Sequence, residues 1–159
     1  MTIIIGIDPG SRKTGYGILQ ADKSRSIHLA HGCLHLTGKT FADRLQQIFK
    51  GLQEVIQCYC PQEAAIEQVF MHDNPNSALK LGQARGAALV ALNIPVAEYS
   101  ARTVKQAVVG YGAASKEQVQ RMVKHFLNLE TTLQADAADA LAIALCHAHS
   151  RWLTRLESV

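Results

Sequence analysis

A chain of 159 residues with 48% hydrophobic and 18% charged side chains is long enough to bury about 68–70% of its unfolded surface, which excludes a disordered tail. No apolar run approaches the roughly 20 residues of a membrane span, and Met1–Ile5 has neither the basic start nor the cleavage site of a secretory leader. Residues 1–159 are therefore expected to form one cytoplasmic domain, with a net charge of +3.

Thr2–Asp8 is an apolar, β-rich run ending in Asp8-Pro9-Gly10, a turn signal. Past a glycine-rich loop over 10–15, Tyr16–Gln20 and Ile27–His35 predict two more strands. The short turns between these three predict an antiparallel meander. Thr40 is placed to cap a helix over 41–57, where Phe41, Leu45, Ile48, Leu52 and Val55 recur at steps of three and four. Ala64–Glu67 predicts a short buried strand, and 68–75 a loop. Residues 76–92 form a second helical pattern in which Gly82 and Gly86, one turn apart, cost helix propensity but permit close approach. Pro95–Tyr99 predicts a strand, and Ser100 caps a short helix to about Val108. Ser115 with Gln118 forms a capping box that opens a helix to about Asn128. A last helix covers 134–156. The order β-β-β-α-β-α-β-α-α-α predicts an α/β fold with a mixed five-stranded sheet flanked by helices.

Charge is unevenly spread. Residues 98–125 hold five basic side chains (Arg102, Lys105, Lys116, Arg121, Lys124) against two acidic ones, and 126–159 hold two basic against four acidic. That order suits a polyanion gripped beside a cation site, though solvated helix faces produce it too. Cys33, Cys58, Cys60 and Cys146 lack paired zinc-ligand spacing and read as free thiols. His147 and His149, two apart on a helix, point to different faces.

Four acids stand out. Asp8 ends the first strand, where open α/β sheets place ligands, and Ile4, Gly6 and Asp8 share one face. Its competing reading is the first residue of a tight turn. Glu67 ends the apolar run from Ala64 to Ile66, an awkward place for a charge unless the strand end is solvated. Asp136 and Asp139 share a helical face among Ala135, Ala137, Ala138 and Ala140; they either complement the helix N-terminus or are carried against the sheet. Were all four to converge, two carboxylates about 4 Å apart would repel by roughly 4 kcal/mol. A hard divalent cation, Mg²⁺ first, answers that repulsion with oxygen ligands, and two such ions can drive in-line attack on phosphorus.

The segments Ile5–Gly17, Ala65–Phe70, Ser77–Gly86 and Gln134–Ile143, in order over nearly the whole chain, closely resemble the RuvC family of bacterial Holliday-junction resolvases. The resemblance implies an RNase H-like fold, a homodimer, and Mg²⁺-dependent paired nicking of four-way junction DNA that leaves 5′-phosphates and 3′-hydroxyls. It implies two Mg²⁺ per site, with Mn²⁺ able to substitute, and RuvA and RuvB as partners. Carried over by position, the catalytic metal ligands fall on Asp8, Glu67, Asp136 and Asp139. The DNA-contacting lysines fall on Lys105 and Lys116, and the aromatic that inserts at the crossover falls on Phe70. Arg12 and Lys13 in the first loop are further candidates for phosphate contacts. Asp73 is an unexpected acid close to DNA. Helix 76–92, through Gly82 and Gly86, is the candidate dimer interface, with packing against the sheet as the competing role. Two other readings remain: a junction-binding module without catalysis, and an actin-like phosphotransferase domain, since Asp8, Gly10 and Gly15 also resemble that superfamily's first phosphate loop.

Overall fold

The computed structural model describes residues 1–69 and 74–157, with side chains described to Trp152. Among the described residues the chain forms β1 (Thr2–Asp8), β2 (Lys13–Ala21), β3 (Ser26–His35), α1 (Phe41–Tyr59), β4 (Glu63–Glu67), α2 (Pro75–Leu92), β5 (Val96–Tyr99), α3 (Ala101–Val109), α4 (Lys116–Leu127) and α5 (Ala135–Glu157). The element order matches the sequence prediction throughout. The helix starts follow from local chemistry. Thr40 with Asp43 and Ser115 with Gln118 form reciprocal capping boxes, Asn74 caps α2 with Pro75 behind it, and Ser100 caps α3. Gly110 closes α3 at φ 103°, a left-handed conformation that a side chain would strain.

The strands form one mixed sheet in the order β3-β2-β1-β4-β5. β1 pairs antiparallel with β2, which pairs antiparallel with β3; β4 lies parallel to β1, and β5 parallel to β4. The glycine-rich loop is shorter than predicted. β2 begins at Lys13 rather than Tyr16, because the ladder continues until Asp8 faces Gly15.

Helices cover both faces. Ile5, Ile7 and Ile18 pack under α1 and α2 against Ile48, Leu52, Ala84 and Ala88. Ile4, Leu19 and Ala65 face α5, backed by α3 and α4, against Leu141, Leu145, Val104 and Val123. α5 lies unusually close to the sheet. A Cβ on Gly6 would stand 2.1 Å from the Ala140 carbonyl oxygen, one on Gly15 2.1 Å from that of Asp136, and one on Gly17 2.6 Å from the Leu141 side chain. Gly6 and Gly17 face each other across the ladder, so these glycines form one groove for the helix.

Gly82 and Gly86 do not serve this purpose. A Cβ at either meets nothing within 4 Å, and α2 packs on the core through Ala84, Ala88 and Ala91. The reading of those glycines as core contacts is therefore corrected. They lie on the outer side of α2, near Leu79 (64% exposed) and Val90 (71% exposed).

His147 and His149 diverge as their spacing predicts. His147 is buried between the Tyr99 hydroxyl and Glu63, at 2.8 Å from each, and Arg151 reaches the same carboxylate at 2.6 Å. His149 is exposed, edge-on to Phe126. The four cysteines are free thiols. Among the described residues no helix is long and apolar enough to cross a membrane.

Candidate active site

Sheet register brings the first two acids together. Ile7 of β1 pairs with Ile66 of β4, so Asp8 and Glu67 follow as neighbours at the carboxyl ends of adjacent parallel strands. Both point toward α5, because Gly6 and Ala65, two residues earlier, face that helix. The glycine groove then supplies the other two. Gly15, directly opposite Asp8, lies against the backbone of Asp136, and Gly6 lies against Ala140. The N-terminal end of α5, with Asp136 in its first turn and Asp139 just after, is thereby pressed over the strand ends.

Electrostatics record the convergence. Burial pushes the Asp8 carboxyl up to about 7, reinforced by Asp139, Asp136 and Glu67 in that order. Glu67 is raised as well, by burial first and Asp139 second, with Lys105 and Lys116 pulling the other way. Lys116 supplies the closest opposing charge, with its ammonium 2.9 Å from Asp139 Oδ2. Asp8 is thus within electrostatic reach of the other three acids, and Glu67 of Asp139. Among the described residues, no three acids, histidines or cysteines are set at metal-holding distance of a common point.

Asp8, Glu67 and Asp139 open onto two hollows that share Glu67. One, of about 280 Å³, is lined by Glu67, Asp139, Lys105 and Lys116 over an apolar floor that includes Val104 and Val119. The other is bordered by Asp8, Pro9, Gln68 and Ala101. Lys105 comes from α3 and Lys116 from the first residue of α4, so the basic segment at 98–125 is folded onto the acids as its composition foreshadowed. Arg12 and Lys13 are exposed at the start of β2, at the same end of the sheet. Phe70 and Asp73 lie outside the described residues.

Two neighbours went unnoticed in the sequence. Arg85 of α2 donates from Nε to the Glu67 carbonyl oxygen at 3.4 Å and stands 2.8 Å from Glu98, as an ion pair rather than an aligned hydrogen bond. Cys33 Sγ on β3 lies 4.0 Å from Asp136 Oδ2. Neither has a local signature, since each pairing spans separate elements. The groove of Gly6, Gly15 and Gly17 did have one: glycines at alternate positions on two strands joined by a turn.

Sheet, crossing helix and acid cluster together define an RNase H-like nuclease. Residues 4–147 match the family profile of the crossover junction endodeoxyribonuclease RuvC. The crossover junction endodeoxyribonuclease RuvC of Tolumonas auensis is 58% identical over 154 residues, covering 95% of this chain and 89% of that one. Its counterpart from Colwellia psychrerythraea is 60% identical over 155 residues, covering 94% and 89%. The structure of T. thermophilus RuvC in complex with Holliday junction substrate superposes with a TM-score of 0.91 at 32% identity, covering 97% of each chain. The chain belongs to the RuvC family.

Proposed function

We propose that this chain is a metal-dependent endonuclease that resolves four-way DNA junctions by paired, symmetric nicks. One observation carries the reading: four carboxylates from three separate elements are gathered at the sheet's carboxyl end, facing two lysines. In this reading Asp8, Glu67, Asp136 and Asp139 are the metal ligands and residues 1–159 form one nuclease domain.

The donor set fits Mg²⁺. All four side chains offer carboxylate oxygen, the hard ligand that small divalent ions prefer, and burial first, then three neighbouring carboxylates, disfavour an unaccompanied charge on Asp8. When bound, a pair of such ions supplies the Lewis acidity that makes hydroxide from water and stabilises the departing 3′-oxygen, leaving a 5′-phosphate. The chain's own residues do the rest. Asp8 must be ionised to bind a cation, so loading improves as pH rises through about 7. The Val104 and Val119 side of the larger hollow excludes water from one flank. Lys105 and Lys116 hold backbone phosphates without reading bases, and Arg12 and Lys13 extend that grip along the same rim. Phe70 follows Glu67 by three residues and is assigned the unstacking of bases at the crossover.

A four-way junction has two-fold symmetry, so paired nicks call for two sites related by the same symmetry. The outer face of α2 is assigned to the homodimer contact. Leu79, Gly82, Gly86 and Val90 recur on it at helical spacing, and Leu79 and Val90 are large apolar groups left in solvent. RuvA and RuvB are the proposed cellular partners.

The test is to incubate a synthetic mobile junction with the protein, with and without Mg²⁺, and map the nicks. Wild type should cut symmetrically only with metal, while Asp8→Asn should bind the junction without cutting. Wild-type cleavage rates in Asp8→Asn would remove that carboxylate from the mechanism. Sedimentation of Gly86→Arg as a monomer, against a dimeric wild type, would support the α2 contact.

A further inference from the structure

The acid cluster already holds an ion pair of its own. Lys116 Nζ stands 2.9 Å from Asp139 Oδ2, and the same ammonium acts on Asp8, Asp136 and Glu67. The position a divalent ion would need is thus faced by a positive charge that the chain itself provides.

We propose that Lys116 is a place-holding cation: it competes with the divalent ion for Asp139 and passes to a DNA phosphate when the ion enters. The proposal rests on the reading of the four acids as a metal site and adds a second role to a residue otherwise assigned to phosphate contact.

Three features support the exchange. Lys116 is the first residue of α4, behind the Ser115 cap. Its side chain can therefore swing while the helix stays fixed by Val119 and Val123 in the core. Secondly, the contact is cheap to break. The Lys116 side chain is 58% exposed and that of Asp139 25%, so solvent screens the lysine end and the pair contributes little to stability. Thirdly, one ammonium is too little charge for the cluster. A single ammonium pairs with one of the four carboxylates, Asp139, so a doubly charged ion has the advantage there. Lys116 lines the same hollow as Lys105, and a phosphate oxygen entering there offers the displaced ammonium a new partner of the same sign as the one it leaves. Ion entry and phosphate capture would then favour each other through one side chain.

The test reads metal binding directly, without DNA and without cleavage. Mn²⁺ binding is followed by the loss of its free-ion EPR signal at pH 8.5, where protons compete little for the acids. The proteins are wild type, Lys116→Met, Lys116→Arg and Lys23→Met, the last at the far end of the sheet as a charge control. Lys116→Met should bind Mn²⁺ about three- to tenfold more tightly than wild type, the loss of one nearby positive charge. Lys116→Arg and Lys23→Met should stay close to wild type, and circular dichroism should show all four folded. Equal or weaker Mn²⁺ binding by Lys116→Met overturns the place-holder, as does an equal gain in Lys23→Met. A wild type that binds no Mn²⁺ overturns the metal-site reading itself, which is a different result.

Discussion

Replacing Asp8 by Asn should stabilise the protein in the absence of divalent ions while ending its activity. Burial and three neighbouring carboxylates raise the Asp8 carboxyl from its ordinary 3.8 to about 7. A carboxyl raised on folding favours the folded state when protonated, so its contribution is complete below pH 4 and is lost as pH rises through 7. The span corresponds to about 4 kcal/mol at 1.36 kcal/mol per tenfold change in acidity. Entering water softens the burial and the repulsion, so about 2 kcal/mol of this should be recovered by an uncharged isostere. For a chain of this size that is about 4–8 °C in Tm. Thermal melts in EDTA at pH 8.5 should therefore place Asp8→Asn above wild type, with the gap closing toward pH 4. Adding Mg²⁺ should raise wild type and leave the variant nearly unmoved, because only a ligand bound to the folded state shifts Tm. A variant that melts at or below wild type at pH 8.5, or a gap indifferent to pH, would refute the account of the site as a store of uncompensated charge.

Other outcomes follow from the packing and the rim. Gly6→Ala puts a methyl 2.1 Å from the Ala140 carbonyl oxygen. It should cost about 2–3 kcal/mol in urea denaturation and depress nicking, since α5 carries Asp136 and Asp139. Gly82→Ala, with nothing within 4 Å, should instead strengthen α2 by about 0.5–1 kcal/mol in the same measurement. Lys105→Ala should weaken junction binding across sequences and lower the salt slope of log K by about one; an unchanged slope would argue against a phosphate contact. Glu63→Gln removes the carboxylate facing Arg151, whose side chain is only 5% exposed. It should cost about 3 kcal/mol of stability, with nicking retained well below the melt.

Much was legible in the chain alone because its signals are local. Caps at Thr40, Ser100 and Ser115, the turn at Pro9-Gly10 and the apolar periods depend on neighbours in sequence, and they marked the element order and the helix starts. The four acids were legible for a related reason: each is a charge in a place where local burial makes charge costly, at a strand end or amid alanines. Other features were beyond any local rule. The Arg85 contact to the Glu67 carbonyl and the proximity of Cys33 to Asp136 arise only when α2 and β3 are laid beside other elements. Gly82 and Gly86 show the limit from the opposite side, since small residues at helical spacing say that something can approach but not which surface they face. By itself, then, the sequence determined which residues carry charge at buried ends, because desolvation acts residue by residue. Only the tertiary structure decided that Asp8 lies within reach of the other three charges and that Lys116 stands beside Asp139, because Coulomb coupling depends on distance in space rather than along the chain.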